Sequence, residues 1–417
     1  MKITSYRRWL TAVPPRKQAK NGNGGREMRT LTRGRPRPVL LGIAVLAAAV
    51  VAVPASASAA TQASPVVGHV YVNDNTAGRN TIGAFDRHSD GTLTPEPGSP
   101  FVAGGAGTGA GLASQGALQI SPDGRFLIAA DAGSNQISVL RINHDGSLRL
   151  TPGGVVSSGG VLPVSVAIHD DLVYVANSGT GGSNYSGFRL TGTGRLEPIP
   201  GSTRALPDGA APGDVLFNRT GTKLVGTRVG TSQIDSFTVG RSGRLSTAPG
   251  SPFPAQGLGP FGSEFRPTNP DQLFVSNAHN VGAGTGTISG FRDAANGRLS
   301  PVGSSPFADD QTAPCWVEIS HDGRFLFAVN TGSGTISRYQ IANGGKLTLL
   351  GSTAIKAAGG VGAVDPRLSP DGHFLYVNET EIGAVGVFAV NGGELTELSN
   401  SPTSLPSGAA AAGIVVD

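Results

Sequence analysis

Four carboxylates and an arginine fall at matching points of a phrase that recurs along the chain. Aligning one short segment of each repeat brings Gln119, Leu216, Glu264, Glu318 and Arg367 to a single position. Ala117, Asp214, Gly262, Trp316 and Asp365 stand two residues earlier. If these segments are strands, the two positions share a face, because side chains alternate along a strand. An unpaired carboxylate packed between apolar neighbours is costly. Asp214, Glu264, Glu318 and Asp365 must therefore meet water, a ligand, or a cation such as Arg367 or Arg228. Such a set can perform general acid–base chemistry: a carboxylate activates water while a guanidinium holds a substrate carboxylate or a developing oxyanion. The same residues could instead form an ion pair between repeats or line a water-filled channel. On the catalytic reading, Glu264, Glu318 and Arg367 act on the substrate, and Asp214, Arg228, His279, Trp316 and Asp365 bind it.

Other residue types narrow the chemistry. His88, His144, His169, His321 and His373 fall in or beside predicted turns at one end of the repeats, and His69 opens a strand. Only His279, in Asn277-Ala278-His279-Asn280, follows a strand toward the opposite end. Trp316 offers either an aromatic ligand platform or packing between repeats. The single cysteine, Cys315, excludes an intramolecular disulfide framework and a cysteine-rich zinc site. With no histidine partner evident, it reads as a small buried hydrophobe. There is no G-x-S-x-G elbow and no H-E-x-x-H helix. Residues 104–111 are glycine-dense, but no helix start follows, so a phosphate cradle is not expected. The Asp-Gly turns lack the spaced ligands of a calcium loop. No metal or cofactor is expected, and the partner would be a small molecule.

The elements that must position these residues are strands. The phrase Gly-x-Leu occurs at Gly91, Gly146, Gly194, Gly243, Gly297, Gly345 and Gly393, spaced by 48 to 55 residues. Before each copy lies an alternating segment such as Gln136-Ile137-Ser138-Val139-Leu140 or Thr335-Ile336-Ser337-Arg338-Tyr339. Period-two alternation with β-branched and aromatic residues reads as a strand. The glycine supplies the positive φ that a tight hairpin needs. Earlier in the unit, Ser121-Pro122-Asp123-Gly124, Ser320-His321-Asp322-Gly323 and Ser369-Pro370-Asp371-Gly372 each turn into another strand. Four hairpin-linked strands per unit, repeated seven times, predict an all-β, seven-bladed β-propeller with four antiparallel strands per blade. Ring closure buries the two apolar faces that each sheet would otherwise expose. Residues 66–73 match a second strand with no first strand ahead of it. Residues 411–417 match a first strand with no second after it. The C-terminal strand should therefore complete the first blade.

Composition agrees. The 417 residues include 63 Gly and 29 Pro, which disfavours an all-helical protein. A hydrophobic content of 38% supplies a sizeable core, and a charged content of 14% excludes a charged disordered polymer. Residues 1–59 hold 11 Lys and Arg against one acid; of the chain's 32 basic and 28 acidic residues, 21 and 27 remain beyond them. The propeller is thus acidic and carries no electrostatic footprint for nucleic acid. Residues 39–53 are fifteen residues without a polar side chain, preceded by Arg29, Arg33, Arg35 and Arg37 and followed by Pro54-Ala55-Ser56-Ala57-Ser58-Ala59. That order reads as a secretory leader over 1–59, cleaved after Ala57 or Ala59, with Met28 as an alternative start. An uncleaved membrane anchor is the other reading, although the run is short for a span. The expected product is a secreted, monomeric propeller over 60–417.

The Ser-Pro-Asp-Gly-Arg-Phe-Leu turn at 121–127 and the Asp-Gly-x-Leu hairpins resemble the lactonase-type seven-bladed propellers, the 6-phosphogluconolactonase and carboxymuconate-cyclase-like family, over roughly 66–417. The resemblance implies hydrolysis or cyclisation of a lactone ring in a small carboxylated or sugar-derived compound. The same phrases recur in non-enzymatic propellers, so a secreted module binding a ligand, glycan or protein is the alternative. Enzymatic members carry Gly-Pro-Arg-His at the start of one inner strand. Here the phrase is Gly259-Pro260-Phe261-Gly262, with neither Arg nor His. Other inner strands of the family place a histidine where this chain has Asp214 or Trp316-Val317-Glu318.

Overall fold

A computed structural model of the chain describes residues 64–356 and 362–417. The predicted leader lies outside the described residues. Ser64–Asp417 forms one compact unit of seven antiparallel sheets. The innermost strands of blades two to seven are Leu118–Ile120, Pro163–His169, Pro212–Phe217, Pro260–Phe265, Pro314–Ile319 and Ala363–Leu368. In blade one the innermost place belongs to Ile414–Val416, which pairs antiparallel with Val66–Asn73 in the register Val70↔Val416, Tyr71↔Val415 and Val72↔Ile414. The predicted closure by the C-terminal strand is therefore present. In five sheets the outermost strand is broken in two. At each break a serine hydroxyl (Ser99, Ser202, Ser251, Ser305 or Ser401) accepts the N–H that the missing stretch leaves open, at 2.6–3.1 Å.

The recurring Gly-x-Leu glycine serves two ends at once. All seven adopt φ between 80° and 89°, as the hairpin requires. Most are also the seat of the preceding blade. A Cβ on Gly91, Gly194, Gly243 or Gly393 would come within 2.4–2.8 Å of Phe374, Phe126, Leu172 or Phe325, the first residue of the previous blade's second strand. The carbonyls of Gly91, Gly146 and Gly243 accept hydrogen bonds from Tyr376, Tyr71 and Tyr174 two residues further along, at 3.1, 2.9 and 2.8 Å. The contact of Phe374 and Tyr376 with Gly91 joins blade seven to blade one by the same device, so the ring closes with a repeated joint. Each buried Phe or Leu at such a joint contributes about 1.5–3 kcal/mol by removal from water.

Most crossovers between blades are short, such as 158–162 and 309–313, but the one from blade one to blade two runs over 103–117. Its glycines allow close backbone approach: a Cβ on Gly107 would meet the backbone of Asn75 at 2.2 Å, and one on Gly105 would meet the Asp131 carboxylate at 2.5 Å. Asn75 holds the loop by accepting from Thr108 N at 2.9 Å and donating to the Ala110 carbonyl at 2.6 Å. Its last residues then enter the central channel.

Candidate functional site

Strand register builds the site. In the two inner strands of each blade, Gln119 faces Ile128, Ala167 faces Tyr174, Leu216 faces Val225, Glu264 faces Phe274, Glu318 faces Phe327, Arg367 faces Tyr376 and Val415 faces Tyr71. All seven partners occupy the third place of the second strand or its equivalent. The aligned position is therefore one level of a ring around the axis, with Glu264, Glu318 and Arg367 on three consecutive blades. Gln115, Gly116, Gln119, Asp214, Val215, Leu216, Glu264, Glu318 and Arg367 line a cavity of about 240 Å³ at this level.

Segment 113–116 roofs the cavity on the crossover side. Gln115 N donates to the Gly213 carbonyl at 2.9 Å, and Val166 N donates to the Gly116 carbonyl at 2.8 Å. The Gln115 side chain accepts from Val317 N at 3.0 Å and donates to the Ser263 carbonyl at 3.1 Å. Trp316 Nε1 donates to the Ser114 carbonyl at 2.8 Å, and Gly116 N donates to Asp365 at 3.0 Å. Five blades thus bond three residues, Ser114, Gln115 and Gly116. Above this plug lies an apolar cluster of Val229, Phe261, Ala278, Cys315 and Trp316 with Ala113 against it. Below it, Glu264, Glu318 and Arg367 sit toward the Ser-x-Asp-Gly turn end. The plug thus stands on the crossover side of these three residues. The plug was missed because its partners lie up to 249 residues away in sequence.

The electrostatics are uneven. Arg367 Nη1 donates to Glu318 Oε2 at 2.9 Å, and Glu318 Oε1 accepts from Leu368 N at 3.0 Å. Burial opposes the Arg367 charge, but Glu318, Asp365 and Glu264 outweigh it and hold the guanidinium above its ordinary pKa. Glu264 is pushed well above the carboxylate range, first by burial and then by Glu318, with Arg367 working in the other direction. Asp214 accepts from Ser263 N at 2.9 Å, from Ser263 Oγ at 2.6 Å and from Ser165 Oγ at 3.2 Å. Burial still raises it to about 7. Asp365 is raised to about 6 by burial, partly offset by Arg367. The cavity therefore holds the Arg367–Glu318 ion pair and two carboxyls, Glu264 and Asp214, whose proton affinity burial raises.

Four of the residues singled out from sequence are absent from the cavity wall: Arg228, Trp316, His279 and Asp365, whose carboxylate holds Gly116 N of the plug. Arg228 forks onto Asp235, with Nε and Nη2 at 2.6 and 2.5 Å from its two oxygens, and is absent from the cavity wall. Blades three, five and six show why: Asn177, Asn277 and Asn330 at the matching place bond Ser186, Ser289 and Ser337. Arg228–Asp235 is blade four's version of that strand-to-strand bond, and comparing the repeats at these two positions would have revealed it. Trp316 is buried, edge-on to Phe261 at 5.1 Å, so it packs the roof. His279 also lies on the far side of the roof, 6.5 Å from Phe261, and burial lowers its pKa. Cys315 is buried and its thiol is pushed up to about 12. The departure at Phe261-Gly262 has a physical counterpart. Phe261 joins the roof cluster, and a Cβ on Gly262 would meet Gln115 Oε1 at 2.1 Å. A histidine there is incompatible with the plug.

The chain folds as a seven-bladed propeller, and its resemblance to the lactonase-type propellers holds at the level of the fold. The family described as "Lactonase, 7-bladed beta-propeller" matches residues 79–207. A Bacteroides fragilis protein put forward as a 6-phosphogluconolactonase superposes with a TM-score of 0.66 at 18% identity, over 84% of this chain and 98% of its own. The periplasmic gluconolactonase of Pseudomonas aeruginosa superposes with a TM-score of 0.67 at 16% identity, over 84% and 98%. No curated protein matches the sequence.

Proposed function

We propose that the protein opens the ring of a small lactone, carboxylated or sugar-derived, in the axial cavity beneath the plug. The observation that carries this reading is a cavity of about 240 Å³ whose wall holds both Glu264, its proton affinity raised by burial, and the Arg367–Glu318 pair. Ionised Glu264 takes a proton from water as the water oxygen bonds to the lactone carbonyl carbon. The carbonyl oxygen gains the electron pair, and the Arg367 guanidinium holds that charge. Collapse breaks the ring C–O bond, and the Glu264 proton passes to the departing ring oxygen. The product is a hydroxy acid. The fold-level likeness to lactonase-type propellers supports this reaction class.

A pH-stat assay of the purified chain against five- and six-membered lactones tests it. Turnover should exceed buffer hydrolysis, fall by about 100-fold or more in Glu264→Gln, and fall comparably in Arg367→Lys. Because Glu264 must ionise to act, the rate should rise with pH through a limb displaced upward from ordinary carboxylates. No turnover above buffer on any lactone would discard the reaction. A second reading, a non-catalytic binder, is favoured by one feature: no histidine lines the cavity among the described residues, and Arg367 is already matched by Glu318. In that case hydroxy acids should bind without being formed.

Export belongs to the same reading and rests on the arginines and apolar run of residues 29–59. N-terminal sequencing of protein recovered from culture medium should begin after Ala57 or Ala59. We take the protein to act as a monomer on a small molecule, without nucleic acid. Light scattering at one chain's mass would agree, and a dimer mass would not.

A further inference from the structure

Blade one departs from its siblings at three places that meet. Two residues before the one that faces the ring level, the second strand carries Phe126, Leu172, Phe325 or Phe374 in blades two, three, six and seven, Lys223 and Gln272 in blades four and five, and His69 in blade one. Facing it across the ladder, blades two, three and five place Arg141, Arg189 and Arg292; blade one places Asp86. At the outer-strand break, blades three, four, five and seven carry Ile199, Ala248, Val302 and Leu398; blade one carries Glu96. Only blade one combines a His, an Asp and a Glu at these three places.

Their ligand atoms converge within 4.8 Å of one another. His69 Nε2 stands 3.7 Å from Asp86 Oδ1. The other ring nitrogen, Nδ1, faces Asp417 Oδ1 at 3.3 Å, which orients Nε2 toward the two carboxylates. Glu96 is only 6% exposed, and its carboxyl points at that of Asp86. That contact sets two carboxyl groups against each other, and neither ionised group can donate. Two carboxyls in contact need a proton or a cation between them, and the imidazole beside them offers a third ligand to a cation. Three donors on a tetrahedral ion at about 2.0–2.1 Å lie about 3.3 Å apart, a small contraction from the geometry present. An imidazole whose far nitrogen is held by a carboxylate is the usual orientation of a metal-binding histidine.

We propose that His69, Asp86 and Glu96 bind one divalent transition-metal ion of the zinc class at the outer seam of blade one. The ion clasps the second strand, the third strand and the outer-strand corner. Through Asp417 it reaches the strand that closes the ring. The site lies apart from the axial cavity, and its existence does not rest on the lactonase reading.

The test uses the full chain without a polyhistidine tag, stripped with a chelator and titrated with Zn²⁺ against a chromophoric competitor; Mn²⁺ and Ca²⁺ are run in parallel. The wild type should bind one Zn²⁺ per chain and melt at a higher temperature with it. Asp86→Asn and Glu96→Gln should each weaken binding more than tenfold, and Asp417→Asn by about 10-fold. Glu96→Leu restores the residue type of the sibling blades, so it should fold at least as well as the stripped wild type yet gain no stability from Zn²⁺. That variant separates loss of metal from loss of fold. Failure of the wild type to bind any of the three ions would overturn the proposal and leave a proton shared by the two carboxyls. Unchanged zinc binding in Glu96→Leu would overturn it equally.

Discussion

At one level around the axis the ring has two unlike arcs. Blades one to four contribute Val415, Gln119, Ala167 and Leu216; blades five to seven contribute Glu264, Glu318 and Arg367. The backbone is the same in both arcs, and each residue faces the same place of its neighbouring strand. The fold therefore requires no charge at this level, since four blades do without one. The charged arc instead carries a burial cost that an apolar arc avoids. What it gains is a cavity where a guanidinium is fixed and a carboxyl keeps its proton at hand. A propeller of this kind holds a site by making one sector of an interchangeable ring expensive.

The largest expected effect breaks the apolar arc. Removing residues 413–417 takes away Val415 with the closing strand and its ladder to 70–72. Cooperative melting should be lost, or its midpoint lowered by more than about 15 °C, as read by circular dichroism; an unchanged melt would mean that the ring is not held there. Next comes the charged arc. Glu318→Ala leaves Arg367 without its partner and Leu368 N without its acceptor, at a cost of about 3–5 kcal/mol in urea unfolding. The double change Glu318→Ala with Arg367→Leu should recover much of that. By contrast, Leu216→Ala in the half-buried apolar arc should cost only about 1 kcal/mol. A cost for Glu318→Ala no larger than that would erase the difference between the arcs.

Two smaller effects sharpen it. Arg228→Leu strands Asp235 and should lower stability, yet turnover per folded molecule should stay unchanged, because that pair lies outside the cavity. The last effect is in pH. Asp214 and Asp74 are both raised to about 7 by burial, so the folded chain holds their protons more tightly than the unfolded chain does. That contribution is full below the ordinary carboxylate range and disappears as pH rises through about 7. The melting temperature should therefore fall between about pH 4 and pH 8, and Asp214→Asn should flatten part of the slope. A melt that rises over that window would contradict the sign.

How much of this could be read in the sequence depended on whether a residue's partners repeat. The seven Gly-x-Leu phrases were legible because a hairpin glycine and the neighbouring blade's side chain impose one requirement seven times. The ring level of Glu264, Glu318 and Arg367 was legible because strand alternation fixes it from the turn onward. Arg228 resembled Arg367 in type but differs in register, and only the Asn–Ser bonds of the sibling blades separate them. The plug was not legible at all. Ser114, Gln115 and Gly116 have no counterpart in other units, and their partners belong to five different blades. It stands between the apolar roof cluster and the cavity lined by Glu264, Glu318 and Arg367.

The most direct test of that placement is a crystal structure of the chain soaked with a neutral sugar lactone or its hydroxy acid. The account predicts ligand density beneath Gln115, within hydrogen-bond distance of Glu264 and Arg367, with Phe261, Trp316 and His279 untouched. Density above the plug against those three residues, with the acidic cavity holding water alone, would contradict it.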